Sequence, residues 1–386
     1  MSVTAAPGYV AGGTACGIKT AGPDLALVAT AAEEPAIAAA VFTANRATAA
    51  PVVVSRRHLA ATGGRARAVI VNSGNANAAT GQAGQQAAVR TCSSVAAALG
   101  CAGEEVLVCS TGLIGIPLPV TLIEQAAPAL VAGLSPTGGS AAADAILTTD
   151  THPKQVVVRA GGFTVGGMAK GAAMLAPNMA TMLALLTTDA QVAHPVLQEA
   201  LAEAVSASFN TLSVDGCTST NDTVIVLANG RGAAPSPAAL RAALTSACTN
   251  LAEQMAGDAE GATKVVRVTV VGAASDGEAA AGARKVAESQ LCKCSWYGQD
   301  AYWGRVVSEL GSAGIAFDPD RVAVAYGGTV VAAGGVAAEH DAAALRGHMA
   351  GRHLQVTADL GLGPGTASIL TNDLTHAYID ENMGTS

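Results

Sequence analysis

The run KGAAMLAPNMATMLALLTTDA, residues 170–190, is the most informative stretch of this chain. Residues 182–186 form a short apolar run of the kind that makes a buried strand. Just before it, Pro177 and Asn178 restrict the backbone to turn-like geometry. The stretch therefore predicts a turn that leads directly into a rigid strand, with Thr181 at the junction.

The pair Ala180 and Thr181 has the chemistry of a peptide bond that cleaves itself. The Thr181 hydroxyl attacks the Ala180 carbonyl, an ester replaces the amide, and water or a second nucleophile releases it. Cleavage frees the α-amine of Thr181, which can then act as general base for the hydroxyl beside it. On this dipeptide alone, the simpler interpretation is that Thr181 merely enters a buried strand, because threonine favours strands.

The composition predicts a soluble protein with a large core of small side chains. Half of the 386 residues are hydrophobic, 13% are charged and only 3% are aromatic. Proline, glycine and isolated charges interrupt every apolar run before the roughly 18 residues that a membrane span requires. We therefore expect no membrane partner, and a chain long enough for two domains.

The net charge and the amino-terminal sequence indicate which partners and which cellular location to expect. The net charge is -8 and no cluster of Lys and Arg is present, so nucleic acid is not an expected partner. Residues 1–7 lack the charged and apolar regions of an export signal. We expect a cytoplasmic protein whose eight scattered cysteines are free thiols. Cys292 and Cys294 lack a second pair at zinc-ligand spacing, so no metal site is expected.

Local patterns predict a mixture of strands, hairpins and helices. Strands are predicted at 68–71, 105–109, 155–158, 182–186, 222–227, 265–271 and 354–359. Helices are predicted after Pro195, from Ser236 and Pro237 toward Met255, and over 339–348. Segments 321–326 and 329–331 flank Gly327 and Gly328 as a tight hairpin. Hairpins with segregated helices favour an α+β fold over a doubly wound parallel sheet.

Several longer motifs resemble the ornithine acetyltransferase family, the ArgJ-type enzymes of arginine biosynthesis. The resemblance runs from residues 17–19 to residues 374–378, and it is densest in residues 110–112, 148–151, 170–171, 176–184, 187–190 and 258–264. It implies self-cleavage between Ala180 and Thr181, giving an α chain of residues 1–180 and a β chain of 181–386. Two such αβ units are expected to assemble as an α2β2 heterotetramer.

The resemblance also implies a fold and an activity. The fold is a layered α/β sandwich of the aminopeptidase and ornithine acetyltransferase type, similar to N-terminal-nucleophile enzymes. A core domain of about residues 1–260 and a smaller C-terminal α/β domain of about 261–386 are expected. The implied activity is glutamate N-acetyltransferase, which moves acetyl from N2-acetyl-L-ornithine to L-glutamate through acetyl-Thr181. No cofactor is expected, although acetyl-CoA is a co-substrate of some members.

Family motifs assign roles to a small set of residues. Thr111 and Gly112 match the oxyanion hole, in which a hydroxyl and a backbone N–H stabilise the tetrahedral intermediate. Lys170 matches a lysine that binds the substrate carboxylate, and Glu260 a glutamate that binds its α-amine. The remaining substrate-binding positions are Thr148, Thr181, Asn382 and Ser386.

Each of these positions also has a structural interpretation. Thr111 and Gly112 fit an ordinary turn, Glu260 a solvated turn, and Thr148 a strand-end cap. The chain departs from the family pattern at Ala259, where glycine is usual, and in a tail one residue shorter after Asn382. These departures leave open an enzyme for a different amine, a related amidase or aminopeptidase, and an uncleaved relative without activity.

Overall fold

The computed structural model describes residues 2–174 and 182–384, so Ala180, Thr181 and Ser386 lie outside the described residues. The strands are β1 (Tyr9–Thr14), β2 (Leu25–Thr30), β3 (Ala36–Phe42), β4 (Arg65–Ala66), β5 (Ala68–Asn72), β6 (Val106–Ser110), β7 (Lys154–Ala160), β8 (Phe163–Lys170), β9 (Leu183–Thr188), β10 (Thr223–Ala228), β11 (Val265–Ala273), β12 (Ala323–Tyr326), β13 (Thr329–Ala333), β14 (Val336–Ala337), β15 (His353–Asp359) and β16 (Gly365–Asn372).

The helices lie between these strands. They are α1 (Ala50–Ala61), α2 (Gly81–Leu99), α3 (Val120–Ala132), α4 (Gly139–Ala145), α5 (His194–Ala207), α6 (Pro237–Gly257), α7 (Asp276–Ala287), α8 (Gln290–Tyr297), α9 (Trp303–Gly311), α10 (Ala342–Ala350) and α11 (His376–Glu381). The chain divides into two compact units. The first unit is Met1–Asn210 with Cys217–Met255, and the second unit is Thr211–Gly216 with Ala256–Ser386.

The first unit contains two stacked sheets. One has the strand order β1-β2-β5-β6 and the other has the order β4-β3-β10-β9-β8-β7. Alternation along β2 separates the layers, because successive side chains of a strand point to opposite faces. Leu25 and Leu27 pack with residues of α2 and α3, whereas Ala26 and Val28 pack with residues of β3, β9 and β10. Helices therefore cover the outer face of the first sheet, and its inner face meets the second sheet.

Each sheet of the first unit mixes strand directions. β5 and β6 run parallel, as do β9 and β10, while the other paired strands of these two sheets run antiparallel. The parallel pair of β9 and β10 aligns Leu183 with Thr223, so both strands begin at the same edge of their sheet. This edge carries the residues that adjoin Thr181 in the chain.

The second unit is built on one sheet with the order β14-β13-β12-β15-β11-β16. β11 and β15 run parallel, and a core of valines with Trp296 and Leu310 joins this sheet to α7, α8 and α9. Gly327 and Gly328 have φ values of 58° and 83°, which suit the two-residue turn of a hairpin. The prediction of a layered α+β fold with a smaller C-terminal α/β unit is confirmed.

The predicted strands and the hairpin fall on strands of the structure with ends that differ by a few residues. The helix predicted over 339–348 is wrong at its start, because α10 begins at Ala342. Asp341 caps it, accepting hydrogen bonds from the N–H groups of Ala343 and Ala344, and an N-cap residue marks a helix start. Throughout the described part of the chain, no helix combines the length and apolar character needed to cross a membrane.

Candidate active site

Thr111 and Gly112 follow directly after β6 and provide two donors without a partner. The Thr111 hydroxyl is buried, and neither it nor the Gly112 N–H makes a hydrogen bond among residues 2–174 and 182–384. The Thr111 N–H donates to the Asn72 carbonyl at 3.0 Å, which fixes the backbone at this point. A buried donor without an acceptor costs free energy, so the Thr111 hydroxyl is available to donate to a bound group.

Gly112 is required by its surroundings as well as by its backbone conformation. Its φ is +130°, a region that residues with a Cβ rarely adopt. A Cβ at this position would lie 2.3 Å from the carbonyl carbon of Gly74 and 2.5 Å from the nitrogen of Asn75. The loop therefore accepts only glycine here, and Gly112 lines the cavity beside it.

The Asn-rich segment after β5 supports this loop. The Ser110 hydroxyl donates to Asn72 Oδ1 at 2.6 Å, and Asn72 Nδ2 donates to the Asn75 carbonyl at 2.8 Å. Asn75 Nδ2 in turn donates to the Ile116 carbonyl at 3.2 Å. These bonds use the asparagine amides internally, so the segment serves to hold the loop that carries Thr111 and Gly112.

The segment 219–221, before β10, lines the same cavity as Thr111 and Gly112 and was not singled out from the sequence. Asn221 Nδ2 bridges two loops by donating to the carbonyls of Ala76 and Ser110, at 2.7 and 2.9 Å. One cavity is lined by Ala76, Thr111, Gly112, Ile114, Met174, Ser219, Thr220 and Asn221. The run Ser-Thr-Asn-Asp before an apolar strand could have identified this segment in the sequence, since polar residues at strand ends often form binding sites.

Lys170 ends β8 and is buried, with only 3% of its surface exposed. Its Nζ donates to Thr148 Oγ1 at 2.6 Å and lies 3.6 Å from Asp150 Oδ2. Two of the predicted substrate-binding residues are thus brought together, although 22 residues separate them in the chain.

Asp150 holds this cationic cluster in place, and sequence reasoning gave it no role. Its buried carboxylate accepts from Lys154 Nζ at 2.6 Å and from the Gly171 N–H at 2.7 Å. Burial alone would raise the pKa of Asp150, but the charges of Lys170 and Lys154 and these two hydrogen bonds hold the pKa below its ordinary value. Asp150 is therefore ionised at neutral pH and balances two buried lysines.

Lys19 adds a third cation near this cluster. Its Nζ donates to the Leu147 carbonyl at 3.1 Å. Burial lowers the pKa of Lys19, and the charge of Lys170 acts in the same direction, whereas Asp24 and Asp150 raise it. The arrangement favours a negatively charged group such as a carboxylate.

Met182 and Asp222 are the described residues that bear most directly on the predicted nucleophile. The Met182 N–H donates to Asp222 Oδ1 at 3.0 Å, and the Met182 carbonyl accepts from the Thr223 N–H at 3.1 Å. Asp222 is fully buried, and its Oδ2 has no hydrogen-bond partner among the described residues. The residue that follows Thr181 is thus fixed through both of its backbone polar groups.

In the second unit, the structure brings Glu260 and Asn382 together. Asn382 Nδ2, at the end of α11, donates to Glu260 Oε2 at 2.8 Å, and Glu260 is 8% exposed. Gly261 has a φ of +62°, and a Cβ there would lie 2.3 Å from the Tyr378 nitrogen. The turn therefore packs tightly against α11, which holds the two predicted residues side by side.

Glu260 borders a cavity of about 180 Å³ within the second unit. The cavity is lined by Val214, Asp215, Glu260, Glu288, Gln290, Lys293, Asn372, Asp373, Leu374 and Tyr378. Burial lowers the pKa of Lys293 to about 8, although the neighbouring carboxylates oppose the shift. Four carboxylates against one lysine favour a cationic group such as an amine.

Comparison of the sequence with known families and proteins finds one family along almost the whole chain. The model of the ArgJ family matches residues 10–384. The arginine biosynthesis bifunctional protein ArgJ of Mycolicibacterium paratuberculosis is 48% identical over 398 residues, covering 100% of this chain and 96% of that protein. The protein of the same name from Streptomyces avermitilis is 47% identical over 390 residues, with complete coverage of both.

Solved structures of similar proteins match parts of the chain. The arginine biosynthesis bifunctional protein ArgJ of Bacillus halodurans is 35% identical, with a TM-score of 0.48, and the match covers 51% of this chain and 95% of that one. An ornithine acetyltransferase of Mycobacterium tuberculosis, solved with ornithine, is 43% identical with a TM-score of 0.41 and covers 46% of this chain and 94% of that one.

Proposed function

Because the chain belongs to the ArgJ family and is an acyltransferase of arginine biosynthesis, we propose that it moves acetyl from N2-acetyl-L-ornithine to L-glutamate. The acetyl group is carried as an ester on the Thr181 hydroxyl, so the two amino acids react in turn in a ping-pong sequence. The observation that carries this proposal is the pair of unused donors at Thr111 and Gly112, which border one cavity. Acyl transfer needs such donors for its oxyanion.

In the proposed maturation, Thr181 Oγ1 attacks the carbonyl carbon of Ala180 and the C–N bond between the two residues breaks. The hydroxyl proton passes to the departing nitrogen, so that an ester and a free amine replace the amide. Water then attacks the ester, which returns the hydroxyl to Thr181 and leaves a carboxylate on Ala180. The fixed backbone of Met182 supports this step, because a positioned nucleophile loses less entropy on attack.

In the proposed transfer, Thr181 Oγ1 attacks the acetyl carbonyl of acetylornithine while its proton moves to the α-amine of the same residue. As the intermediate collapses, the C–N bond breaks and this proton moves to the leaving nitrogen, which releases ornithine. The glutamate amine then attacks the acetyl ester and returns a proton to Thr181 Oγ1. No histidine is needed, because one amine both accepts and donates the proton.

Two clusters have the charges to bind the amino-acid substrates. In the first unit, Lys170 with Thr148 binds the substrate carboxylate, and Asp150 pairs with the Lys170 ammonium and orients it. In the second unit, Glu260 binds the amine, and its hydrogen bond from Asn382 fixes the orientation of the carboxylate. Ser386 is proposed to assist from the end of the tail. Charge-assisted bonds of this kind are the strong ones in proteins.

A second acetyl donor and an assembly complete the proposal. The relatives are named bifunctional proteins, which supports acetyl-CoA as an additional donor that acetylates Thr181 in place of acetylornithine. The α and β chains are proposed to assemble as α2β2 in the cytoplasm, with no bound cofactor. Incubation with acetyl-CoA and glutamate alone tests the second donor, since acetylglutamate then forms without acetylornithine.

The test of the main proposal combines intact-mass spectrometry with an acetyl-transfer assay. Freshly purified wild-type protein should give two chains that meet between residues 180 and 181, and should transfer label from acetylornithine to glutamate. Thr181→Val, which keeps the shape of the side chain but has no hydroxyl, should stay one chain and transfer nothing. An unbroken wild-type chain, or a break elsewhere, contradicts the proposal.

The same assay separates the alternatives. Label that appears in free acetate with or without glutamate indicates a hydrolase. Label that leaves acetylornithine only with a different amine present indicates another acceptor. Transfer to glutamate that needs both substrates and an intact Thr181 hydroxyl indicates the proposed transferase.

A further inference from the structure

We propose that Asp222 is a positioning residue for Thr181. In its uncharged carboxylic acid form, Asp222 anchors the peptide group that adjoins Thr181. The inference rests on the proposed role of Thr181. Asp222 is not among the site residues predicted from the sequence. Asp222 does not act as the base in this scheme. Its function is to hold the backbone next to the nucleophile without placing a negative charge there.

The anchor is the hydrogen bond from the Met182 N–H to Asp222 Oδ1, at 3.0 Å. That N–H belongs to the peptide group that joins Met182 to Thr181. Asp222 is itself held, because its carbonyl accepts from the Thr43 N–H at 2.9 Å, and it immediately precedes β10. The bond therefore ties the chain beside the nucleophile to two neighbouring strands of one sheet.

The surroundings of Asp222 favour its uncharged form. The side chain is fully buried, and no cation forms an ion pair with it among the described residues. Lys170, the charged group that faces it, is committed to Thr148 and Asp150. An isolated carboxylate in the interior is costly, so such a group keeps its proton instead.

The pKa of Asp222 follows the same argument. Burial raises this pKa well above the ordinary value, and it outweighs the N–H of Met182, the charge of Lys170 and the hydroxyl of Ser219, which all lower it. With the proton in place, Oδ2 is an O–H donor, and it has no acceptor among the described residues.

An uncharged anchor matters because the α-amine of Thr181 must be unprotonated to accept the hydroxyl proton. A carboxylate close to an amine stabilises the ammonium form and raises its pKa. A positive charge close to an amine acts in the opposite sense, and the proposed role of Lys170 would supply one at this site. Asp222 as a neutral acid and Lys170 as a cation therefore both favour the state of the amine that can act as a base.

Three variants of the full chain test this inference. Asp222→Asn keeps an acceptor at Oδ1 and a donor at the other position but never carries a charge. Asp222→Leu has a similar size and removes both. Asp144→Ala, on the exposed surface of α4, is the control for expression and assay.

Asp222→Asn should cleave fully, transfer acetyl within about threefold of the wild-type kcat, and keep the wild-type pH profile. Asp222→Leu should cleave slowly and lose about 10- to 100-fold in kcat with little change in KM, because misplacement of a reacting group affects the chemical step. A merely structural residue would not give this division between kcat and KM.

Two results overturn the inference. One is loss of activity in Asp222→Asn together with loss of the acidic limb of its pH profile, which would identify an ionised base. The other is wild-type cleavage and kcat in Asp222→Leu. If Asp222→Leu does not fold, the pH profiles of Asp222→Asn and the wild type still show whether an ionised Asp222 is needed. Failure of the proposed function is distinguishable, because it is seen in the wild-type protein and in Thr181→Val.

Discussion

Lys170 Nζ and Thr148 Oγ1 are joined by a hydrogen bond of 2.6 Å, from the end of β8 to the loop before β7. Among the described residues, the Lys170 ammonium is also paired with Asp150, at 3.6 Å. In the proposed site, Thr148 would therefore orient Lys170 toward the substrate. The position of the lysine depends on a partner that lies far from it in sequence.

Thr148→Val should raise the KM for acetylornithine by about 10-fold or more, because hydrogen bonds to charged groups contribute about 1.5 to 3 kcal/mol. Self-cleavage should remain, since the variant keeps Lys170 and Thr181. Steady-state kinetics measure the change. Thr149→Val, at the exposed neighbouring position, is the control and should match the wild type. Equal KM values for all three proteins would contradict the assignment of Thr148.

Thr111→Val should reduce kcat by about 100- to 1000-fold with little change in KM, the usual result of removing an oxyanion donor. The reason is that its hydroxyl is buried and has no other partner among the described residues. Thr111→Ser keeps the hydroxyl and should recover most of the activity. Similar kcat values for the valine and serine variants would show that the hydroxyl has no role.

Gly112→Ala should be destabilised by about 1 to 3 kcal/mol, because alanine is strained at positive φ. The added Cβ would also lie 2.3 Å from the Gly74 carbonyl carbon, so the loop must move. Urea denaturation measures the free energy of unfolding of each variant. Gly115→Ala has a positive φ but open space around its Cβ, so the difference between the two variants isolates the clash. Equal free energies of unfolding for the two variants would show that the clash has no effect.

Glu260→Gln should weaken the binding of ornithine and glutamate by about 10-fold or more, because it replaces a charge-assisted hydrogen bond with a neutral one. Acetylornithine should be affected less, since its α-nitrogen is an uncharged amide. Inhibition by ornithine gives the direct measurement. Glu339→Gln, on an exposed loop, is the control. An equal loss for all three ligands would mean that Glu260 does not bind the α-amine.

The pH dependence of stability should report the charge on Asp150. Its folded-state pKa lies below the ordinary value of 3.8, so its stabilisation is complete above that value and is lost as the pH falls toward the folded-state pKa. Asp150→Asn leaves Lys154 buried without its carboxylate and should cost about 3 to 5 kcal/mol at neutral pH.

The gap in unfolding midpoint between wild type and Asp150→Asn should narrow as the pH falls below the ordinary pKa of 3.8. Asp222 has the opposite effect, because its raised pKa stabilises the fold at low pH. Both proteins contain Asp222, so its contribution cancels when their unfolding midpoints are compared. A gap that stays constant would show that Asp150 is not ionised.

The sequence predicts several strands from short apolar runs, and it misses others, among them the alanine-rich β3. β3, with the sequence AIAAAVF, was not predicted, because alanine has little intrinsic preference for strands. It is a strand because β10 pairs with it along its length and its neighbours bury it. Such pairing is set by residues distant in the chain, which no local pattern contains.

The sequence analysis proposed site residues where a motif is continuous, as around Thr111, and Thr111 and Gly112 line one cavity in the structure. Asp222 was not found, because its significance lies in a bond to Met182, 40 residues away. Asp150 was passed over for a similar reason, since its partners Lys154, Lys170 and Gly171 lie at the ends of two neighbouring strands. Burial and pairing of charges appear only in three dimensions.

The anchoring of Met182 bears on the proposed cleavage before Thr181. A cut there would create a new chain start directly before a residue whose backbone N–H and carbonyl are both hydrogen-bonded. In the proposed maturation, the new amino terminus would stay attached to the sheet, and the surrounding strands would not need to rearrange. The uncut chain would already have the fold of the active enzyme, and cleavage would add only the free amine of Thr181.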